Sequence, residues 1–139
     1  MKRYIVDTNL ILRFLTGEPA NHAQLAAEFF QQGEDGKISL HISPIVVAEI
    51  VFVLTGKVYA CARAEVADQL LQFLSNPSFK VQEFEVIAKA LSLFKAHQID
   101  FADAYLAATA LLSGASVATF DKDFAQINGL NSLILTQKI

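Results

Sequence analysis

Four acidic residues draw attention by where they fall: Asp7, Glu49, Asp103 and Asp121. Asp7 ends the short apolar run Tyr4-Ile5-Val6, and Asp121 ends a second run, Val117-Ala118-Thr119-Phe120. Asp103 follows Asp100 into an alanine-rich segment, and Glu49 is the single charged residue between Ile45 and Leu54. A carboxylate on a core-facing surface is costly unless it is paired or bound to a cation. Two carboxylates ~4 Å apart repel by ~4 kcal/mol at an effective dielectric near 20, so a cluster takes up protons or a cation. Magnesium or manganese, one or two ions, suits such a cluster, because both are hard ions that accept a few carboxylates and keep several waters. A site of this kind activates water for phosphodiester hydrolysis, and no protein nucleophile is then required.

Each acid also has a purely structural reading. Asp7, Asp100 and Asp121 suit helix N-caps, Asp103 suits the positive end of a helix dipole, and Glu49 suits an exposed helix edge. Capping does not account for an acid in the middle of an apolar helix. In a parallel α/β sheet, moreover, all four positions lie at the carboxyl ends of the strands, where such folds bind ligands.

The elements that would position these acids alternate along the chain. Tyr4 to Val6 reads as a buried strand because its apolar run is continuous. Helices are expected over Asn9 to Leu15, stopped at Gly17-Glu18-Pro19, and over Asn21 to Gln32, with Gly33 just past its end. Ile38 to Ile42 alternates as a strand, and Ser43-Pro44 opens a helix that reaches Leu54 and stops at Gly56. A helix over Ala62 to Leu74, a weak strand over Phe79 to Glu83 and a helix over Val86 to His97 follow. Asp100 then opens a helix over Phe101 to Ser113 with Gly114 as its C-cap; a strand over Val117 to Phe120, a short helix near Asp123 to Ile127 and a strand over Leu133 to Leu135 complete the pattern. Strands separated by helices predict a mostly parallel sheet covered on both faces, within one domain spanning residues 1–139.

Composition narrows the function classes. At 53% hydrophobic and a mean hydropathy of +0.38 the chain is apolar for its length, which fits a doubly covered sheet, a subunit interface, or both. No apolar run approaches the ~18 residues that span a bilayer, and the run after Met1-Lys2-Arg3 is too short for a secretory signal, so a cytoplasmic protein without membrane contact is expected. Cys61 is the only cysteine, which excludes an internal disulfide and a thiolate zinc site. The net charge of −3 argues against a nucleic-acid partner only if the acids are spread evenly; with four of them in one site, the remaining surface is close to balanced. Arg13, Lys57, Arg63 and Lys122 are candidates to hold phosphates, with ordinary surface solvation as the alternative. His22, His41 and His97 are scattered and receive no role.

Taken in order, Val6-Asp7-Thr8-Asn9, Ser43-Pro44 with Glu49, Asp100-Phe101-Ala102-Asp103-Ala104 and Thr119-Phe120-Asp121-Lys122-Asp123-Phe124 resemble the PIN-domain ribonucleases, and look most like the VapC-type toxins of toxin-antitoxin pairs. The resemblance implies a three-layer α/β/α sandwich around a central five-stranded, mostly parallel sheet with the first strand in its middle. It also implies that Asp7, Glu49, Asp103 and Asp121 are catalytic metal ligands. By the same resemblance Asn9 and Thr119 orient the acids or a water, Asp123 is an extra acid at the rim, and Asp100 is a cap or an outer ligand. The implied activity is endoribonuclease cleavage of RNA such as tRNA or rRNA, dependent on Mg²⁺ or Mn²⁺. The implied partners are a second copy in a homodimer and a small antitoxin that blocks the acidic site. The rival from another class is a PIN-like RNA- or protein-binding module without turnover, and a non-toxin PIN nuclease in RNA processing is a third reading. An aspartyl-phosphate enzyme would want an acid where Asn9 stands, and a response-regulator receiver would place its acceptor after a middle strand.

Overall fold

Strands and helices alternate as the hydrophobic periodicity requires. The computed structural model describes residues 1–136. In order these are β1 (Lys2–Ile5), α1 (Thr8–Thr16), α2 (Ala20–Glu34), β2 (Ile38–Ile42), α3 (Pro44–Leu54), α4 (Arg63–Leu74), β3 (Phe79–Val81), α5 (Phe84–Ala96), α6 (Phe101–Ser113), β4 (Val117–Thr119), a short 3₁₀ helix (Lys122–Gln126) and β5 (Ser132–Ile134). Pro44 opens α3 at its first turn, and Gly17 and Gly114 close α1 and α6 in the left-handed conformation, at φ 73° and 77°.

The sheet departs from expectation. Among the described residues the strands form two separate parallel sheets, β1-β2-β3 and β4-β5, in place of one five-stranded sheet. β1 pairs with β2 alone, with Lys2 opposite Ile38 and Ile5 opposite His41, and is therefore an edge strand rather than the central one. β4 pairs with β5, Val117 opposite Ser132 and Thr119 opposite Ile134.

The helical cover departs as well. One face of β1-β2-β3 is dressed by aromatic residues from α2 and α4: Tyr4 meets the Phe29 ring at 5.2 Å, and Phe79 meets Phe30 and Phe73 at 5.5 and 4.7 Å. The other face, with Arg3 and Ile5 on β1 and Lys80 on β3, is covered only in part: Ser39, opposite Arg3, is buried, whereas Ile5 is 80% exposed. The reading of Tyr4 to Val6 as a wholly buried strand thus holds only for Val6. A continuous apolar run reports burial on two faces only when a layer covers each, and here the second layer does not reach β1. The surplus of apolar residues accordingly remains partly on the surface, with Ile45, Phe52, Phe120 and Leu133 all exposed.

Helix α2 runs through Gly33 to Glu34 instead of stopping at Gln32. Gly33 is buried, and a Cβ there would collide with the side chain of Leu40, itself wholly inside the core. Glycine at this point allows β2 to approach the helix and does not terminate it. Gly33→Ala gains up to ~1 kcal/mol of helix propensity but overpacks Leu40 at a cost of ~1–3 kcal/mol. A net destabilisation of ~1 kcal/mol is expected in urea unfolding; a stabilised variant would show that Leu40 has room to move.

Candidate active site

The acids fall into groups contributed by different elements. Asp7 leaves the end of β1 and occupies the N-cap position of α1 with extended backbone, φ −80° and ψ 152°, yet its carboxylate caps nothing. It lines a cavity of ≈ 390 Å³ with Asn9, Leu10, Arg13, His22 and Leu25. α1 packs on α2, which is what brings His22 beside Asp7. No spacing in the sequence signals that neighbour, because it arises from helix packing and not from either helix alone.

Glu49 lies on the outward stripe of α3 with Ile45 and Phe52, which are 76% and 78% exposed. These positions share a face at i, i+4 and i+7. The inward stripe is Val47, Ile50, Val51 and Leu54, all buried. Glu49 is therefore exposed and not a charge forced into the core. Its apolar sequence neighbourhood reflects a helix that shows hydrophobic side chains to water as well as to the interior.

The second group forms around the start of α6. Asp100 stands at its N-cap position without a side-chain cap bond, and Asp103 follows, half-buried, in the first turn. Burial, and then the charges of Asp100, Asp121 and Asp123, hold the Asp103 carboxyl above its ordinary value. Beyond β4, the Asp121 backbone N–H donates to Thr119 Oγ1 at 3.0 Å, and Asp121 Oδ1 accepts from the Asp123 backbone N–H at 2.8 Å. Thr119 thus positions the Asp121 backbone, while Asp121 caps the 3₁₀ helix as its structural reading foresaw.

These donors are hard oxygens of the kind magnesium and manganese take. Their placement is another matter: among the described residues no three His, Cys, Asp or Glu side chains converge on a point that could hold a metal ion. The four acids do not form a complete metal site in this conformation of a single chain.

The cations divide. Arg13 borders the Asp7 cavity, and Lys57 and Lys122 are exposed. Arg63 is not a surface cation awaiting a phosphate. The two N–H groups of its Nη2 are shared among three backbone carbonyls, Phe94 O at 2.8 Å, His97 O at 2.7 Å and Ile99 O at 2.6 Å, and its guanidinium sits over the Phe94 ring, 3.7 Å from its centre. The carbonyls left open where α5 ends need donors, and an arginine from α4 supplies them. Its Nε is buried without a hydrogen-bond partner, and burial lowers the guanidinium pKa while Asp100 opposes the shift.

A second cavity, ≈ 430 Å³, opens between α3 and α6 and is lined by Ile45, Ala48, Ala102, Leu106, Glu83 and Tyr105 among others. The Tyr105 hydroxyl donates to Glu83 Oε1 at 2.7 Å, and this bond, with burial, raises the tyrosine pKa. Neither residue is singled out by sequence: Glu83 stands in the turn before α5 and Tyr105 within α6, and only the packing of the two segments brings them together.

A model of the PIN domain matches residues 4–130, and the chain belongs to that family. PIN domains are generally nucleases and typically use divalent metal ions. Comparisons with curated proteins and with solved structures give no match.

Two consequences are measurable. A carboxyl whose pKa is raised by folding favours the folded state when protonated, so the Asp103 contribution is fully present below pH 3.8 and lost as pH rises through the raised value. Asp103→Asn is expected to raise Tm at neutral pH in metal-free buffer, with the gain disappearing below pH 3.8; an unchanged or lower Tm at pH 7 would contradict the crowding. Arg63→Lys cannot reproduce the planar fork or the stacking, and a loss of ~2 kcal/mol in urea unfolding is expected.

Proposed function

We propose that this PIN-domain protein is a metal-dependent endoribonuclease of the toxin type, with Asp7, Glu49, Asp103 and Asp121 as its catalytic acids. One observation carries the reading. Asp7 and Asp100 stand at helix N-caps without capping, and Asp103 shares its surroundings with three further acids. Stability alone would pair or disperse such charges, whereas a divalent cation neutralises them. Dependence on Mg²⁺ or Mn²⁺ follows from the oxygen donors and from the habit of the family. The toxin role rests on the ordered motifs. It brings with it a small antitoxin bearing a basic side chain for the acidic site, a homodimeric state, and action in the cytoplasm. No helix among the described residues is long and apolar enough to cross a membrane.

Arg13, beside Asp7, suits an RNA phosphate adjacent to the scissile bond, and Lys122, next to Asp121, suits the other side. Asn9 and Thr119 orient the acids they adjoin, and Asp123 adds charge at the rim. A second reading has one observation in its favour: the acids are divided between groups, as a binding module without turnover would tolerate.

Purified protein free of antitoxin, incubated with total RNA and Mn²⁺ or Mg²⁺, decides between them. Discrete cuts that vanish with EDTA, and that fall by about a hundredfold or more in Asp7→Asn, are expected. RNA binding without cleavage under either ion would instead establish the binding module.

A further inference from the structure

The cleft between α1 and α2 opens beside Asp7 and holds more than an acid. Its ≈ 390 Å³ are lined by Leu10 and Arg13 of α1 and by His22 and Leu25 of α2, besides Asp7 and Asn9. Leu10 and Arg13 stand three residues apart on one helix, and His22 and Leu25 three apart on the other, so each pair shares a helix face. One wall is thus aliphatic and cationic, and the other is aliphatic with an imidazole. Leu25 is 61% exposed, although Ala26 and Phe30 of the same helix are buried. Apolar walls with a few placed polar groups are the usual make-up of a ligand site.

The Arg13 guanidinium is not consumed by its acidic neighbour. Among the described residues the one ion pair joins Lys95 to Asp68, so Arg13 and Asp7 line the same cavity without pairing. A phosphate suits Arg13, but a phosphate alone leaves Leu10, Leu25 and the imidazole in water. A basic side chain suits Asp7, but not beside Arg13. A ligand with an anionic group and a flat, partly apolar body uses both walls, and a nucleotide has that make-up, with a phosphate at one end and the π-face of a base at the other. A base in a duplex is paired and stacked, so only an unpaired one can turn into such a cleft.

We propose that this cleft receives one unpaired nucleotide of the RNA substrate, its phosphate on Arg13 and its base between His22 and Leu25, and that this contact selects where the RNA is cut. His22 supplies a flat ring on which a base stacks, and Leu25 covers the opposite face of that base. The nucleotide so held adjoins Asp7, and the bond presented to the acids is the one beside the selected base. Selection of the cut rests on the nuclease reading of Asp7; the binding of the nucleotide does not.

Binding is read by fluorescence anisotropy with labelled oligo(A), oligo(C) and oligo(U) in Ca²⁺, the RNA being checked as intact on a gel afterwards. The wild type is expected to favour one of the three by about fivefold or more, the lower end of what one stacked base contributes. His22→Ala and Leu25→Ala replace exposed side chains and leave the fold intact, and each is expected to reduce that preference to about twofold or less. Arg13→Gln weakens all three alike and lowers the slope of log K against log salt by about 0.7, the share of one phosphate contact on a single strand. Equal binding of the three by the wild type, a preference that survives both substitutions, or no binding at all would overturn the proposal. Equally tight binding of the preferred strand in a duplex, which hides its bases, would overturn it too. Full displacement by the matching nucleoside monophosphate at the same concentration would overturn it in favour of a free-nucleotide site.

Cleavage then tests the selection. Total RNA is cut with Mn²⁺ by the wild type, His22→Ala and Leu25→Ala, and the new ends are sequenced. One base, the same one that binds best, is expected to be enriched at a fixed position beside the wild-type cuts, and the enrichment is lost in both variants. Unchanged enrichment would remove the selecting role and leave the nuclease standing. A wild type that cuts nothing, while its base preference in binding depends on His22 and Leu25, would remove the nuclease reading and leave the nucleotide site.

Discussion

The C-terminal part of this protein is organised around one guanidinium. Arg63 donates from Nη2 to the carbonyls of Phe94, His97 and Ile99 and sits over the Phe94 ring, 3.7 Å from its centre. A charge-assisted bond is stronger than a neutral one, and here several groups that the end of α5 would leave unsatisfied share one donor. The consequence is geometric. With α4, α5 and the approach to α6 fastened at one point, Asp100 and Asp103 are presented on a fixed frame, and the chain that continues into β4 leaves from that frame.

A second constraint works at the other end of the molecule. Phe14, Phe30, Phe73 and Phe79 meet in a cluster with ring centres 4.7 to 5.7 Å apart, which joins α1, α2, α4 and β3 on the covered face of the three-stranded sheet. Aromatic contacts of this kind stabilise by burial and by edge-to-face geometry, and they leave nothing equivalent for the opposite face. Asp7 is delivered from the rim of this body and Asp103 from the other. Asp7 and Asp103 therefore belong to separately stabilised parts of the structure.

Electrostatics sharpen the division. The formal charge of −3 is small, but Asp100, Asp121 and Asp123 all act on Asp103, so negative charge is concentrated around the start of α6. Such a surface repels RNA until cations intervene. Arg13 beside Asp7 softens the field on one side only.

Much of this was legible in the residues themselves. Helix α3 starts at Pro44 because proline lacks only an N–H that the first turn does not use, and α6 ends at Gly114 because the left-handed cap favours glycine. The type of nearly every element, the order of the acids and the family they resemble follow from such local chemistry. What escaped has a common cause. Whether Ile5 is covered, whether Glu49 faces the core, whether Gly33 ends a helix or makes room for Leu40, and that Arg63 serves carbonyls rather than phosphates all depend on elements distant in sequence. Local sequence determines which hydrogen bonds and apolar stripes each segment must satisfy; only the tertiary structure decides which partner satisfies them, because an edge strand or an apolar stripe is equally content with any complementary surface.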